Sequence, residues 1–250
     1  MKIISISNQK GGSGKSTTAV NLAAYLALAG KRLLLIDLDP QGSATTHLGI
    51  DKKSLERNMY DVMSGQTRLI DVIISTETQG LDICPTNNLL GKAEFELFNR
   101  EERDSILKSK MTGIDGYDCV LIDTPPNLYN LTLNALMASD IVMIPIDSTF
   151  YALEGLAVIS ELLDVIESEL GHTLTRRYLL TKFDGRTNLS KEVESKLREL
   201  FGQSVYKTII PVNVRLATAP SYGKPIYAVD PESIGAQAYQ NLATEVLHEW

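Results

Sequence analysis

The chain has 250 residues, of which 44% are hydrophobic, 22% charged and 6% aromatic, a composition that excludes a disordered, collagen-like or disulfide-rich protein. Its formal net charge of −7 argues, as a whole-chain average, against a nucleic-acid partner. Two cysteines without a metal-binding spacing favour a reducing, cytoplasmic location, and we predict neither a signal peptide nor a membrane-spanning segment.

The first 36 residues predict two strands joined through a glycine-rich turn and a helix. The strands cover residues 2–7 and 32–36, the turn residues 8–16 and the helix residues 17–29. Apolar side chains recur in the helix every three to four residues, and Gly30 follows its end. This pattern is a βαβ unit, whose crossover is expected to be right-handed.

Further along the chain, apolar strands continue to alternate with helices. Between residues 54 and 113 we predict mostly helix, with one short strand at 81–84. We then predict strands at 119–122, 141–146 and 178–181, and helices at 152–170, 190–201 and 234–248. Because the strands are continuously apolar, they are expected to be buried on both faces in a parallel sheet covered by helices. We therefore predict one α/β domain over residues 1–250, with a mostly parallel, doubly wound sheet flanked by helices.

A phosphate-binding loop is predicted between the first strand and the first helix. Residues 10–17 read KGGSGKST, and a glycine-rich backbone here lets N–H groups point at phosphate oxygens beside the positive end of a helix. Lys15 is expected to reach the β- and γ-phosphates, and the Ser16 hydroxyl to ligate Mg²⁺. Gln9 stands where the general pattern has glycine, and Lys10 is an additional lysine. The predicted nucleotide-binding residues of this P-loop NTPase are Lys10, Gly11, Gly12, Ser13, Gly14, Lys15, Ser16 and Thr17.

Three aspartates follow predicted strands and are expected to meet beside the P-loop. Asp37 and Asp39 follow the second strand, and Asp123 follows the strand at 119–122. Ligands of a parallel sheet bind outside the carboxyl ends of its strands. Asp123 therefore fits the role of holding Mg²⁺ directly or through water, and Asp39 that of orienting or deprotonating the attacking water.

Several motifs together resemble the ParA/Soj family of DNA-partitioning ATPases, within the deviant Walker A class that includes MinD. They are KGGSGKST at 10–17, DLDPQ at 37–41, DTPP at 123–126, LTLNAL at 131–136, RTNLS at 186–190, IPVNVRL at 210–216 and APSYG at 219–223. The resemblance covers nearly the whole chain.

This resemblance implies a role for particular residues. Lys10 would be the signature lysine that crosses a sandwich homodimer to touch the partner's ATP, and Asp39 the hydrolytic residue. Pro211 and Asn213 match adenine-side contacts. The family's ATP·Mg²⁺ dimer binds double-stranded DNA without sequence preference at the nucleoid, and a ParB/Spo0J-type centromere-binding protein stimulates hydrolysis that releases it.

The chain also departs from the family's pattern. Asn127, Tyr129 and Asn130 stand where Ser, Gly and an apolar residue are usual, in a segment that the resemblance places at the dimer and partner surface. The chain begins at its first strand, so we expect no N-terminal helix-turn-helix and no operator binding.

The charge is unevenly distributed along the chain. Residues 176–224 carry a net charge of +6, which leaves −13 for the remainder. Such a segment can contact phosphates in a salt-sensitive manner, and the resemblance would place Arg186 and Arg215 on DNA. The alternation of charges between residues 191 and 199 also fits a solvated helix face.

Two other functions are compatible with the same P-loop. A MinD-like membrane-associated positioning ATPase requires a basic amphipathic C-terminal helix, whereas residues 237–250 contain no Lys or Arg, so we expect no membrane partner. The second alternative is a metabolic enzyme that uses ATP to activate a small substrate. The three histidines, His47, His172 and His248, have no metal-site spacing, and we expect surface or helix-cap positions for them.

Overall fold

A single seven-stranded sheet forms the centre of the structure, a computed structural model that describes residues 1–149 and 152–250, the side chains of 152–154 excepted. The strands are β1 (Lys2–Ile6), β2 (Leu33–Asp37), β3 (Ile74–Ser75), β4 (Leu81–Cys84), β5 (Cys119–Asp123), β6 (Ile141–Asp147) and β7 (Thr175–Thr181). Their order across the sheet is β3-β4-β2-β5-β1-β6-β7. Only the two-residue edge strand β3 is antiparallel to its neighbour, so the prediction of a mostly parallel sheet is confirmed.

Helices cover both faces of this sheet. The α-helices are α1 (Lys15–Leu28), α2 (Ser43–His47), α3 (Met59–Ser64), α4 (Gly91–Phe98), α5 (Ile106–Lys110), α6 (Asn130–Ala138), α7 (Ala152–Leu170), α8 (Asn188–Phe201), α9 (Val214–Thr218), α10 (Ile226–Val229) and α11 (Ile234–His248). Short 3₁₀ helices lie at Leu69–Val72, Asn88–Leu90, Gly202–Ser204 and Ala219–Tyr222.

The hydrophobic core is divided by the sheet. In β2, Leu33 and Leu35 pack towards α1 and α11, whereas Leu34 and Ile36 pack towards the cluster that α3 to α6 form on the opposite face. A third cluster joins β6 and β7 to α6, α7 and α8. Every residue of β2, β5 and β6 is buried, which explains their continuous apolarity.

The sequence prediction was weakest between residues 54 and 113. The predicted strand at 81–84 is present as β4, but the helices of that stretch are all short (α3, α4, α5 and two 3₁₀ turns), and β3 is an additional strand. The strand predicted at 178–181 begins three residues earlier, at Thr175. Polar residues at 175–177 hide this start, because β7 is half-exposed there and buried only from Tyr178 onward.

Candidate nucleotide-binding site

The P-loop leaves the carboxyl end of β1, an interior strand between β5 and β6, and enters α1. Gly12 and Gly14 have φ angles of +74° and +94°, a region that only glycine adopts at little cost. The loop opens on a cavity of about 550 Å³. The P-loop residues that line this nucleotide-binding cavity are Gly11, Gly12, Gly14, Lys15, Ser16 and Thr17.

Lys15 lies at the base of the cavity with its ammonium group turned back onto the loop. Its Nζ donates to the Lys10 carbonyl at 3.1 Å, and the residue is 6% exposed. Burial lowers the pKa of Lys15, and the carboxylates of Asp123 and Asp39 act in the opposite direction. Both carboxylates therefore interact electrostatically with the ammonium group of the P-loop lysine.

Lys10 does not line the cavity, although it belongs to the same loop. Its Nζ lies 2.8 and 2.9 Å from the two carboxylate oxygens of Asp147, at the end of β6, and also contacts the Thr149 hydroxyl. The Asp147 side chain is 7% exposed and that of Lys10 28%. The additional lysine is thus held by a largely buried carboxylate outside its own nucleotide-binding cavity.

The three predicted aspartates come together at one sheet edge, but in different environments. Asp39 lines the cavity, and its Oδ1 accepts a hydrogen bond from the Gln41 N–H at 2.9 Å. Asp37 is fully buried and accepts from the Thr45 N–H at 2.8 Å and the Thr45 hydroxyl at 2.6 Å. Burial raises the pKa of Asp37 to about 6 in spite of those bonds. Asp37 therefore fixes the start of α2, and Asp39 faces the cavity.

Asp123 is paired in register with Asp37 across β2 and β5 and is also fully buried. Burial and the charge of Asp37 raise the pKa of Asp123 well above its ordinary value, while the Ser16 hydroxyl lowers it. Neither carboxylate oxygen makes a well-formed hydrogen bond among the described residues. A buried carboxylate without a partner beside a P-loop serine is a suitable place for a cation.

These donors fit Mg²⁺ better than a metal held entirely by protein. The part of the chain that the structure describes contains no cluster of three or more His, Cys, Asp or Glu side chains able to hold a metal. Mg²⁺ typically takes one or two protein oxygens and completes its shell with water and phosphate. Ser16 and Asp123 match that requirement.

Sequence reasoning missed the contacts that brace the P-loop from elsewhere in the chain. The Thr181 hydroxyl, at the end of β7, donates to the Ser13 carbonyl at 2.8 Å. Lys52 and Lys182 both line the cavity, and the charge of Lys52 lowers the pKa of Asp39 against the effect of burial. The sequence did offer one signal for the contact between Thr181 and Ser13. If β1 and β7 are parallel strands of one sheet, residue 181 lies at the same carboxyl-end side of the sheet as the P-loop.

The prediction for His47 was wrong. This side chain is 2% exposed, lines the cavity and has no hydrogen-bond partner for Nε2 among the described residues. Burial lowers its pKa to about 4. The histidine is therefore neutral at physiological pH and is a buried residue at the end of α2, beside the cavity.

Pro211 and Asn213 lie apart from the P-loop residues in this structure. Pro211 forms a bridge with Phe183 and lines a separate surface cavity. The Asn213 side chain caps α9 by accepting from the Leu216 N–H at 3.1 Å. Neither residue lines the nucleotide-binding cavity, so the predicted adenine contacts stay a prediction.

The basic segment at 176–224 is largely neutralised by ion pairs. Arg186 is 89% exposed but forms a two-pronged pair with Asp184 at 2.7 and 2.8 Å, and Arg215 lies 3.2 Å from Asp230. Seven of the ten basic residues in the segment have an acidic partner. The count of charges along the sequence therefore overstates the free positive charge of this surface.

A P-loop at an interior strand of a parallel sheet, with two strand-end carboxylates beside its lysine, defines the class of P-loop ATPases. A family model described as an AAA domain matches residues 1–176. The sporulation initiation inhibitor protein Soj of Bacillus subtilis is 47% identical over 247 residues, 98% of each chain. The chromosome partitioning protein ParA of Caulobacter vibrioides is 41% identical over 99% of this chain and 94% of its own. The chain belongs to this ParA/Soj family of partitioning ATPases.

A solved structure supplies the ligands that such a site takes. The crystal structure of a cobyrinic acid a,c-diamide synthase from Mycobacterium smegmatis, with a bound ATP analogue and magnesium, superposes with a TM-score of 0.87. It is 30% identical and covers 100% of this chain and 96% of the other. ATP and Mg²⁺ are the substrate and cofactor of the ATPase. In the described residues, no helix is long and apolar enough to cross a bilayer.

Proposed function

We propose that the protein is an ATP-dependent DNA-segregation switch that acts at the nucleoid. Two protomers would enclose two ATP molecules, bind double-stranded DNA without sequence preference, and be reset by a ParB/Spo0J-type partner. The observation that carries this proposal is the position of Lys10. A P-loop lysine that does not line its own cavity, and lies outside it 2.8 Å from Asp147, would contact a nucleotide bound by another protomer once this ion pair opens.

Hydrolysis in this proposal depends on Asp39. Gln41 fixes one carboxylate oxygen of Asp39, and the carboxylate faces the cavity, where it orients the attacking water. Ser16 and Asp123 would hold Mg²⁺, which neutralises phosphate charge when bound. The described residues that line the cavity include no arginine, so we expect slow turnover until a partner protein binds.

DNA binding in this proposal is conditional on the dimer. A single protomer offers Arg186 and Arg215 only as ion-paired side chains, so phosphates must displace Asp184 and Asp230 to reach them. Two copies of a weak surface on one particle bind a long polyanion far more strongly than one copy. ATP binding would thus be converted into DNA affinity.

The test is retention of DNA with ATP, with ADP and without nucleotide, across a series of salt concentrations. We expect retention only with ATP, and a steep loss as salt rises. Asp39→Ala should bind ATP and DNA without hydrolysis, and Lys15→Ala should lose nucleotide and DNA together. DNA binding that is absent, or equal with and without ATP, would refute the proposal.

Two other outcomes would point to the alternative functions. ATP-dependent flotation with anionic liposomes would indicate a membrane-positioning ATPase, although α11 buries Leu242 and Val246 in the core and residues 237–250 carry no Lys or Arg. Phosphate release that requires a small molecule, rather than DNA with a partner protein, would indicate a metabolic enzyme.

A further inference from the structure

Lys182 has an unusual backbone conformation at the edge of the nucleotide-binding cavity. Among the described residues it is the only one other than glycine with a positive φ, +50°. A side chain in this left-handed region costs about 1–2 kcal/mol, and such strain persists only where the surroundings impose it. Lys182 directly follows β7, at the sheet edge that carries the P-loop.

Contacts on both sides of Lys182 impose this conformation. Before it, the Thr181 hydroxyl donates to the Ser13 carbonyl of the P-loop at 2.8 Å. After it, the Phe183 N–H donates to the Ile210 carbonyl at 3.1 Å, and the Phe183 carbonyl accepts from the Val212 N–H at 3.0 Å. The chain is therefore fixed to the P-loop on one side and to residues 210–212 on the other.

The side chain of Lys182 extends from this fixed backbone over the P-loop. It lines the cavity, and its Nζ lies 3.8 Å from the position that a Cβ on Gly12 would occupy. Within residues 1–149 and 155–250, no carboxylate lies within 4 Å of this ammonium group. Lys10 is bound to Asp147 and Lys15 to a loop carbonyl. Lys182 is thus a third lysine at the P-loop, and it faces the cavity.

We propose that Lys182 is a nucleotide-binding residue whose ammonium group contacts the phosphates of the nucleotide held by the P-loop of the same chain. The charge count along the sequence places Lys182 in the basic segment at 176–224, but its side chain lines the nucleotide-binding cavity. A polyanionic ligand is the chemistry that an ammonium beside glycine N–H groups recognises.

The test compares three variants of Lys182 with a control from the same basic segment. Lys182→Gly and Lys182→Met remove the ammonium, Lys182→Arg keeps a positive charge, and Lys191→Met removes an exposed lysine of α8. Affinities for ADP and ATP are measured by titration calorimetry with Mg²⁺ on the full chain, with adenosine as the uncharged ligand. We expect ADP and ATP to bind about 5- to 20-fold more weakly to Lys182→Gly and Lys182→Met, which is the range of a charged hydrogen bond partly exposed to water.

Further measurements distinguish a loss of ligand binding from a loss of structure. Lys182→Gly relieves the left-handed strain, so its thermal stability should equal or exceed that of the parent while its affinity falls. Lys182→Arg should stay within about threefold of the parent, and Lys191→Met should be unchanged. Parental affinity for ADP in both Lys182→Gly and Lys182→Met would overturn the proposal, as would an equal loss for adenosine and ADP. A parent that binds no ADP would instead refute the ATPase assignment.

Discussion

The ion pair between Lys10 and Asp147 makes a quantitative prediction about dimer formation. If Lys10 must leave Asp147 to reach a partner's nucleotide, the pair opposes the dimer, and Asp147→Asn should strengthen it. Asp147 Oδ1 accepts a hydrogen bond from the Lys10 ammonium at 2.9 Å, and Oδ2 lies 2.8 Å from the same nitrogen, with only 7% of the Asp147 side chain exposed. An exposed ion pair contributes less than about 1 kcal/mol, and a well-buried charged hydrogen bond about 1.5–3 kcal/mol.

The expected size of the effect follows from these values. Asparagine keeps one neutral acceptor, so the substitution should remove about 1 kcal/mol per protomer. A symmetric dimer breaks two such pairs, and about 2 kcal/mol corresponds to roughly a 30-fold decrease in the dimer dissociation constant. Sedimentation equilibrium with ATP and Mg²⁺ measures this constant, with Asp39→Ala present in every protein to prevent hydrolysis.

The matched control is Asp164→Asn. It breaks an ion pair of similar length, 2.7 Å to Arg176, in which the Asp164 side chain is 69% exposed, and it should leave the dimer unchanged. The reasoning is refuted if Asp147→Asn dimerises no more tightly than its parent while both bind ADP with equal affinity. In that case the contact between Lys10 and Asp147 would not compete with the dimer.

Three further predictions concern the stability of the nucleotide-free protein, measured by urea denaturation. The pKa of Asp37 is raised to about 6, so its contribution to stability is present below pH 4 and decreases by about 3 kcal/mol as the pH rises to 6; because the pKa of the neighbouring Asp123 is also raised, Asp37→Asn should reduce this decrease and not abolish it. The pKa of His47 is lowered to about 4, so the free energy of unfolding should decrease by about 3 kcal/mol as the pH falls from 6.5 to 4, and His47→Leu should lack this decrease. For either variant, a difference from the parent that does not change with pH would contradict the assignment. Gly223→Ala would place a Cβ 2.7 Å from the Gly49 Cα at a φ of +65° and should lower the free energy of unfolding by about 2–4 kcal/mol. The control is Gly113→Ala, at a φ of +85° but with open space around the new Cβ, which should lower the free energy of unfolding by only about 1 kcal/mol. Equal decreases in the two variants would contradict the steric argument.

The sequence predicts the parts of the site that depend on local pattern. The P-loop and the aspartates at 37, 39 and 123 follow apolar strands, and parallel strands bring their carboxyl ends to one edge, so their meeting is predictable from order along the chain. The bounds of the C-terminal helix at 234–248 are also predicted, because its apolar period is long and Ser233 caps it.

The contacts that tune these residues depend on distant parts of the chain. Lys10 meets Asp147 across 137 positions, and Thr181 meets Ser13 across 168. Neither contact has a local signature, because each requires the order of β1, β6 and β7 in the sheet to be known. His47 shows the converse error, since an isolated histidine has the same local pattern whether its helix position is exposed or buried.

Gly49 and Gly223 bring two segments that are far apart in the sequence into backbone contact. No side chain separates the two backbones, since a Cβ on Gly49 would lie 3.0 Å from the Gly223 carbonyl oxygen. Gly49 follows the loop and helix that begin at Asp39, and Gly223 follows the helix that carries Arg215. A Cβ on Gly223 would in turn lie 2.7 Å from the Gly49 Cα, so neither position has room for a side chain. The two glycines thus let the segment after α2 and the segment after α9 pack backbone to backbone, at a separation that any side chain at either position would widen.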